Sequence, residues 1–152
     1  MKQTVLVTYS GEETREIGKK IGKLLFPGSL LTLSGELGAG KTTFTQGLAK
    51  GLGIEKNVTS PTFTIMKNYK GNLPLNHIDA YRLEDIVQDL GFDEYIEGDG
   101  VTVIEWAQFI DYILPEELLN IEFSINEDDS RNLLITAKGE KYEEVLEKLC
   151  TL

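Results

Sequence analysis

Cysteine, histidine and tryptophan each occur once in the 152 residues, as Cys150, His77 and Trp106. A single cysteine excludes an internal disulfide and predicts an intracellular location, with Cys150 itself read as a small apolar residue of a terminal helix. A lone histidine without cysteine or aspartate partners at ligand spacing is a weak metal or acid–base candidate, so His77 reads as structural. No apolar run reaches membrane-spanning length, and Met1-Lys2-Gln3-Thr4-Val5 lacks the long apolar stretch of a signal peptide, so no membrane association is expected. Basic residues are scarce: 15 Lys and Arg stand against 25 Asp and Glu, a net charge of −10. Phosphate contacts need clustered Lys and Arg, so direct nucleic-acid binding is disfavoured, and any role in nucleic-acid metabolism would run through another protein. The same acidity also serves as a solvated surface that aids solubility. Internal repeats and low-complexity linkers are missing too, which leaves residues 1–152 as one domain with the apolar content, 41%, of an ordinary globule.

What the chain does have is glycine in one telling place. Gly35-Glu36-Leu37-Gly38-Ala39-Gly40-Lys41-Thr42 fits the phosphate-binding pattern G-x-x-x-x-G-K-S/T. The chemistry requires several donors converging on phosphate oxygens with no side chain in the way. Glycine supplies that, because a backbone without Cβ can turn its N–H groups inward as an anion-binding nest. Lys41 is expected at the β- and γ-phosphates, and the Thr42 hydroxyl on a magnesium ion. The flanks agree: Ser29 to Ser34 reads as a buried strand, and Phe44, Leu48 and Leu52 fall at helical spacing before Gly53.

The remaining chain alternates strand and helix signals. Residues 4–8 predict a first strand, and Ser10-Gly11-Glu12-Glu13 is a capping box opening a helix with Ile17, Ile21, Leu24 and Leu25 on one face. Gly18 and Gly22 inside it imply that something packs closely there. Asn57 to Thr62 is a hydroxyl-rich loop, read either as a plain loop or as a switch ordered by the γ-phosphate and magnesium. Residues 63–69 and 73–79 predict a hairpin whose second strand ends in Asp79, a carboxylate suited to magnesium or to capping a helix from Leu83 onward. A short helix closed by Gly91 precedes an acidic aromatic stretch, Phe92 to Glu97, read as a partner surface or a packed satellite helix. Val101 to Ile104 suits a central strand, and it ends in Glu105, placed to bind magnesium or to handle the attacking water, with Trp106 beside it. A short helix is expected over residues 109–114, a second hairpin over 121–125 and 133–136, and a closing amphipathic helix over 140–149. The predicted fold is α/β, a P-loop NTPase-like three-layer sandwich with a mixed central sheet and β-hairpin additions.

Four blocks, GELGAGKTTF at 35–44, SPTFTI at 60–65, HIDAYRL at 77–83 and IEW at 104–106, together resemble the bacterial TsaE (YjeE) family of small ATPases. The resemblance spans nearly the whole chain. It implies a cytoplasmic, weakly hydrolysing, magnesium-dependent ATPase required for threonylcarbamoyl modification of adenosine 37 in tRNA, acting on TsaD-like and TsaB-like partners and meeting tRNA only through them. It further implies ATP phosphates held by Gly35, Gly38, Ala39, Gly40, Lys41, Thr42 and Thr43. Ser60, Pro61 and Thr62 would form a switch, Asp79 a Walker-B-like carboxylate, and Glu105 a second magnesium contact or water-orienting group. Trp106 would lie beside the nucleotide, and the segment Ser10 to Thr14 near the adenine. Lys41, Asp79 and Glu105 would carry the catalysis, with Thr42, Asp79 and Glu105 on the metal. A small-molecule kinase is the alternative, disfavoured because only Arg15, Arg82 and Arg131 are available as lid arginines. A GTP switch is disfavoured by the lack of an N-K-x-D sequence, and a nucleotide-binding module without hydrolysis is the third possibility.

Overall fold

The structure, a computed structural model, describes residues 1–36, 38–59, 66–80, 92–107 and 114–151, the side chains of Phe92 and Asp93 excepted. The elements run β1 (Lys2–Thr8), α1 (Gly11–Leu24), β2 (Leu30–Gly35), α2 (Lys41–Gly51), β3 (Met66–Tyr69), β4 (Leu75–Asp79), α3 (Phe92–Ile96), β5 (Val101–Glu105), β6 (Leu118–Ile125), β7 (Arg131–Lys138) and α4 (Glu140–Thr151). The strands form one sheet in the order β1-β7-β6-β2-β5-β4-β3. β4, β5, β2 and β6 are parallel, whereas β3, β7 and β1 join through antiparallel pairings. The sheet is therefore mixed, with the β3–β4 hairpin at one edge and the β6–β7 hairpin beside edge strand β1 at the other, in line with the expected mixed sheet with hairpin additions.

Strand parity divides the core in two, because successive side chains point to opposite faces. One face packs with α1, α2 and α4 into the larger cluster, which includes Leu31, Leu33, Val103, Ile121, Phe123 and Leu133. The other buries Leu30, Ile78, Ile104 and Leu118 with Ile96 of α3, giving the third layer. The stretch Phe92 to Glu97 is thus in part a satellite helix: Ile96 is buried, and the Tyr95 carbonyl accepts from the Thr102 hydroxyl.

Ser10 caps α1 as predicted, its Oγ accepting from Glu13 N at 3.2 Å. The returning Glu13 carboxylate accepts from Tyr9 N rather than from the N-cap residue itself. The close packing implied by Gly18 comes from α2: a Cβ built there would lie 2.3 Å from the Phe44 carbonyl oxygen, and one built on Gly47 would lie 2.0 Å from that of Arg15. The two helices meet backbone to backbone. Phe44 then tilts edge-on to Phe123 at 5.6 Å, joining the start of α2 to β6.

Several details differ from the sequence pattern. β1 begins at Lys2 because pairing with Ala137 carries polar residues into the edge strand. β6 begins at Leu118 because Leu119 pairs with Leu31 of β2. Cys150 lies on α4 as expected but faces solvent, the inward positions being Tyr142, Val145, Leu146 and Leu149. The helices predicted before Gly91 and over 109–114, together with residues 63–65 of the first hairpin, lie outside the described residues, apart from Leu114, which packs partly buried against the smaller core.

Candidate functional site

Parallel strands end on the same edge of a sheet, so β2, β4 and β5 deliver their last residues to one place. Asp79 and Glu105 stand directly opposite each other in the β4–β5 register. The loop after β2 rises beside them and enters α2. A single cleft is lined by Gly38, Gly40, Lys41, Thr42, Thr43, Asp79, Glu105 and Trp106. Residues drawn from separate blocks of the sequence thus share one surface.

The loop has the backbone its glycines allow. Gly38 has φ of +80° and Gly40, the N-cap of α2, φ of +109°, both in the region that favours glycine. A Cβ on Gly38 would meet nothing within 4 Å, so this turn of the loop opens onto unfilled space. Ala39 is buried, with its N–H turned to the Glu36 carbonyl at 3.1 Å. Lys41 is also buried; its Nζ donates to the Gly35 carbonyl at 3.0 Å and lies 5.1 Å from the centre of the Trp106 ring. Trp106 itself has φ of +61°, rare for a bulky residue and typical of functional sites.

Glu105 is 7% exposed, and its Oε2 lies 2.7 Å from Nε2 of His77. Sequence reasoning gave His77 a structural role and missed this pair. The signal available was parity: His77 and Asp79 are two apart on one strand, so both face the side on which Glu105 ends.

A second cleft adjoins the loop, lined by Thr8, Tyr9, Ser10, Gly11, Thr14, Gly38, Gly40, Thr43, Asp129 and Arg131. It contains Ser10, Gly11 and Thr14 from the segment expected near the adenine. Asp129 and Arg131 come from the β6–β7 turn, and no local sequence signal places them here; the long hairpin register does. That turn is braced by Asp128, whose Oδ1 accepts from the N–H of Ser130 at 3.0 Å and its hydroxyl at 2.5 Å. The Ser130 hydroxyl, then its amide, hold the Asp128 carboxyl below the usual carboxylate range. Ser60, Pro61 and Thr62 lie outside the described residues.

A mixed sheet with a glycine loop between its central strand and a helix, and carboxylates at neighbouring strand ends, defines an α/β protein of the P-loop NTPase-like class. The family model described as threonylcarbamoyl adenosine biosynthesis protein TsaE matches residues 8–133, and the chain belongs to the TsaE family. Among curated relatives, the tRNA threonylcarbamoyladenosine biosynthesis protein TsaE of Bacillus subtilis (strain 168) is 51% identical over 150 residues, 98% of this chain and 95% of the relative. That of Treponema pallidum (strain Nichols) is 42% identical over 131 residues, 85% of this chain and 97% of the relative. The crystal structure of YdiB from Bacillus subtilis superposes with a TM-score of 0.88 at 46% identity, covering 99% of this chain and 95% of that one.

Proposed function

We propose that this chain is a magnesium-dependent ATPase, weak alone, that serves tRNA threonylcarbamoyladenosine synthesis by acting on a complex of TsaD-like and TsaB-like proteins rather than transferring the threonylcarbamoyl group itself. The observation that carries the reading is the convergence of the glycine loop, Lys41, Thr42, Asp79 and Glu105 on one cleft. The names of the relatives supply the pathway, and the net charge of −10 argues that tRNA is met through partners.

The residues suit the groups proposed. The open space over Gly38 is where loop amides can take phosphate oxygens. A hydroxyl and two carboxylates are hard oxygen donors of the kind magnesium takes, and this ion is commonly held through one or two carboxylates plus substrate phosphates. When bound, the ion would supply positive charge against the charge that develops on the phosphate oxygens. Thr42 and Asp79 would hold it. Lys41 would exchange the Gly35 carbonyl for phosphate oxygens, a stronger charge-assisted partner. Glu105 would orient the attacking water and accept its proton.

The reaction class is tested by following the terminal phosphoryl group of labelled ATP with magnesium, in the presence and absence of small-molecule acceptors. Inorganic phosphate is the expected product in both cases. Label appearing on an acceptor would establish a kinase and overturn the reading.

A further inference from the structure

Glu105 lines the phosphate cleft although its side chain is only 9% exposed, and a carboxylate so buried needs a fixed partner. The partner is His77, whose side chain is fully buried. In the parallel register His77 stands opposite Val103 and Asp79 opposite Glu105, so the imidazole reaches diagonally along the sheet to Glu105 Oε2. Its other nitrogen, Nδ1, has no hydrogen-bond partner among the described residues. An apolar side chain would fill this space without stranding a polar atom, so packing alone does not account for histidine here.

We infer that His77 is a positioning residue for the nucleotide site: its Nε2–H holds one oxygen of Glu105, fixing the carboxylate's rotamer and leaving the other oxygen for the cleft. An ionised carboxylate only accepts, so the bond selects the Nε2–H tautomer. The role parallels the outer partners that orient ligating and reacting groups in metal sites, whose loss costs about 10- to 100-fold in activity or metal affinity. It rests on the reading of Glu105 given above, and the experiments separate the two.

His77 is the single histidine, so its ring gives one unambiguous set of NMR signals in protein free of nucleotide and metal. The expected spectrum is that of the Nε2–H tautomer with a protected Nε2–H, and Glu105→Ala should abolish that protection. In turnover assays His77→Leu should lose about 10-fold or more, while its affinity for an ATP analogue without magnesium stays unchanged. His77→Gln, which keeps a donor at the position of Nε2, should recover most of the loss. Combining His77→Leu with Glu105→Ala should be no slower than Glu105→Ala alone, because a residue acting through Glu105 has nothing further to remove. The inference is overturned if Glu105→Ala leaves the histidine signals unchanged, or if His77→Leu turns over at the wild-type rate while Glu105→Ala is slow. Wild-type turnover by Glu105→Ala would instead overturn the reading of the site, and this inference with it. Should His77→Leu not fold, the NMR comparison and His77→Gln decide.

Discussion

Lys41 and Gly47 lie six residues apart on α2 and show how differently single residues are constrained here. Lys41 is held by a neutral carbonyl and an aromatic face, partners that a flexible side chain can exchange. Gly47 has no such latitude, since the nearest neighbour of an added Cβ is the Arg15 backbone. Alanine at 47 would gain about 1 kcal/mol of helix propensity. Against that, overpacking two backbones costs about 1–3 kcal/mol or more, because carbonyls cannot rotate aside as side chains do. Gly47→Ala is therefore expected to be destabilising despite the better helix former, and a denaturant melt showing equal or higher stability would refute the close-packing account. The glycine loop and the helix after it were legible in the sequence because the residues that form them are contiguous. The His77–Glu105 pair was not, since it depends on two strands 28 positions apart lying in a particular register.

Among elements, α4 is the clearest case of a helix holding a strand from a distance. Its Tyr142 hydroxyl accepts from the Leu30 N–H at 2.9 Å, satisfying the first amide of the strand that leads into the glycine loop. Tyr142→Phe would leave that amide unpaired in the core, at a cost of about 1–3 kcal/mol. Burial raises the Tyr142 hydroxyl above its ordinary value, with the charge of Glu117 adding to the effect against the opposing Leu30 bond. The folded chain thus keeps this proton more tightly than the unfolded one. The contribution is whole below the unfolded value of about 10 and is lost as pH rises through the folded value. Denaturant melts across the alkaline range should show wild-type stability falling where that of Tyr142→Phe stays flatter; identical slopes would contradict the assignment. The helices could be read from the sequence because their apolar residues recur every three to four positions. The start of β6 could not, because Leu118-Leu119-Asn120 lacks alternation and is fixed as strand by pairing with β2. Nor could the sheet order, in which β6 and β7 separate β1 from β2.

At the scale of the whole molecule, the parallel strand ends gather the site on one edge, while the antiparallel hairpin returns Asp129 and Arg131 to the cleft beside it. The blocks at the loop, at Asp79 and at Glu105 carried the family in the sequence, and the fold explains why they occur together. On the proposed function, this cleft drives repeated cycles of a modification completed elsewhere. The most direct test of that proposal is multiple-turnover threonylcarbamoylation of tRNA, reconstituted with TsaD-like and TsaB-like partners and either Lys41→Ala or Glu105→Ala. Turnover should fall by about a hundredfold or more with each, the scale set by losing one preorganised electrostatic contact. Repeated turnover at the wild-type rate with both variants would contradict it.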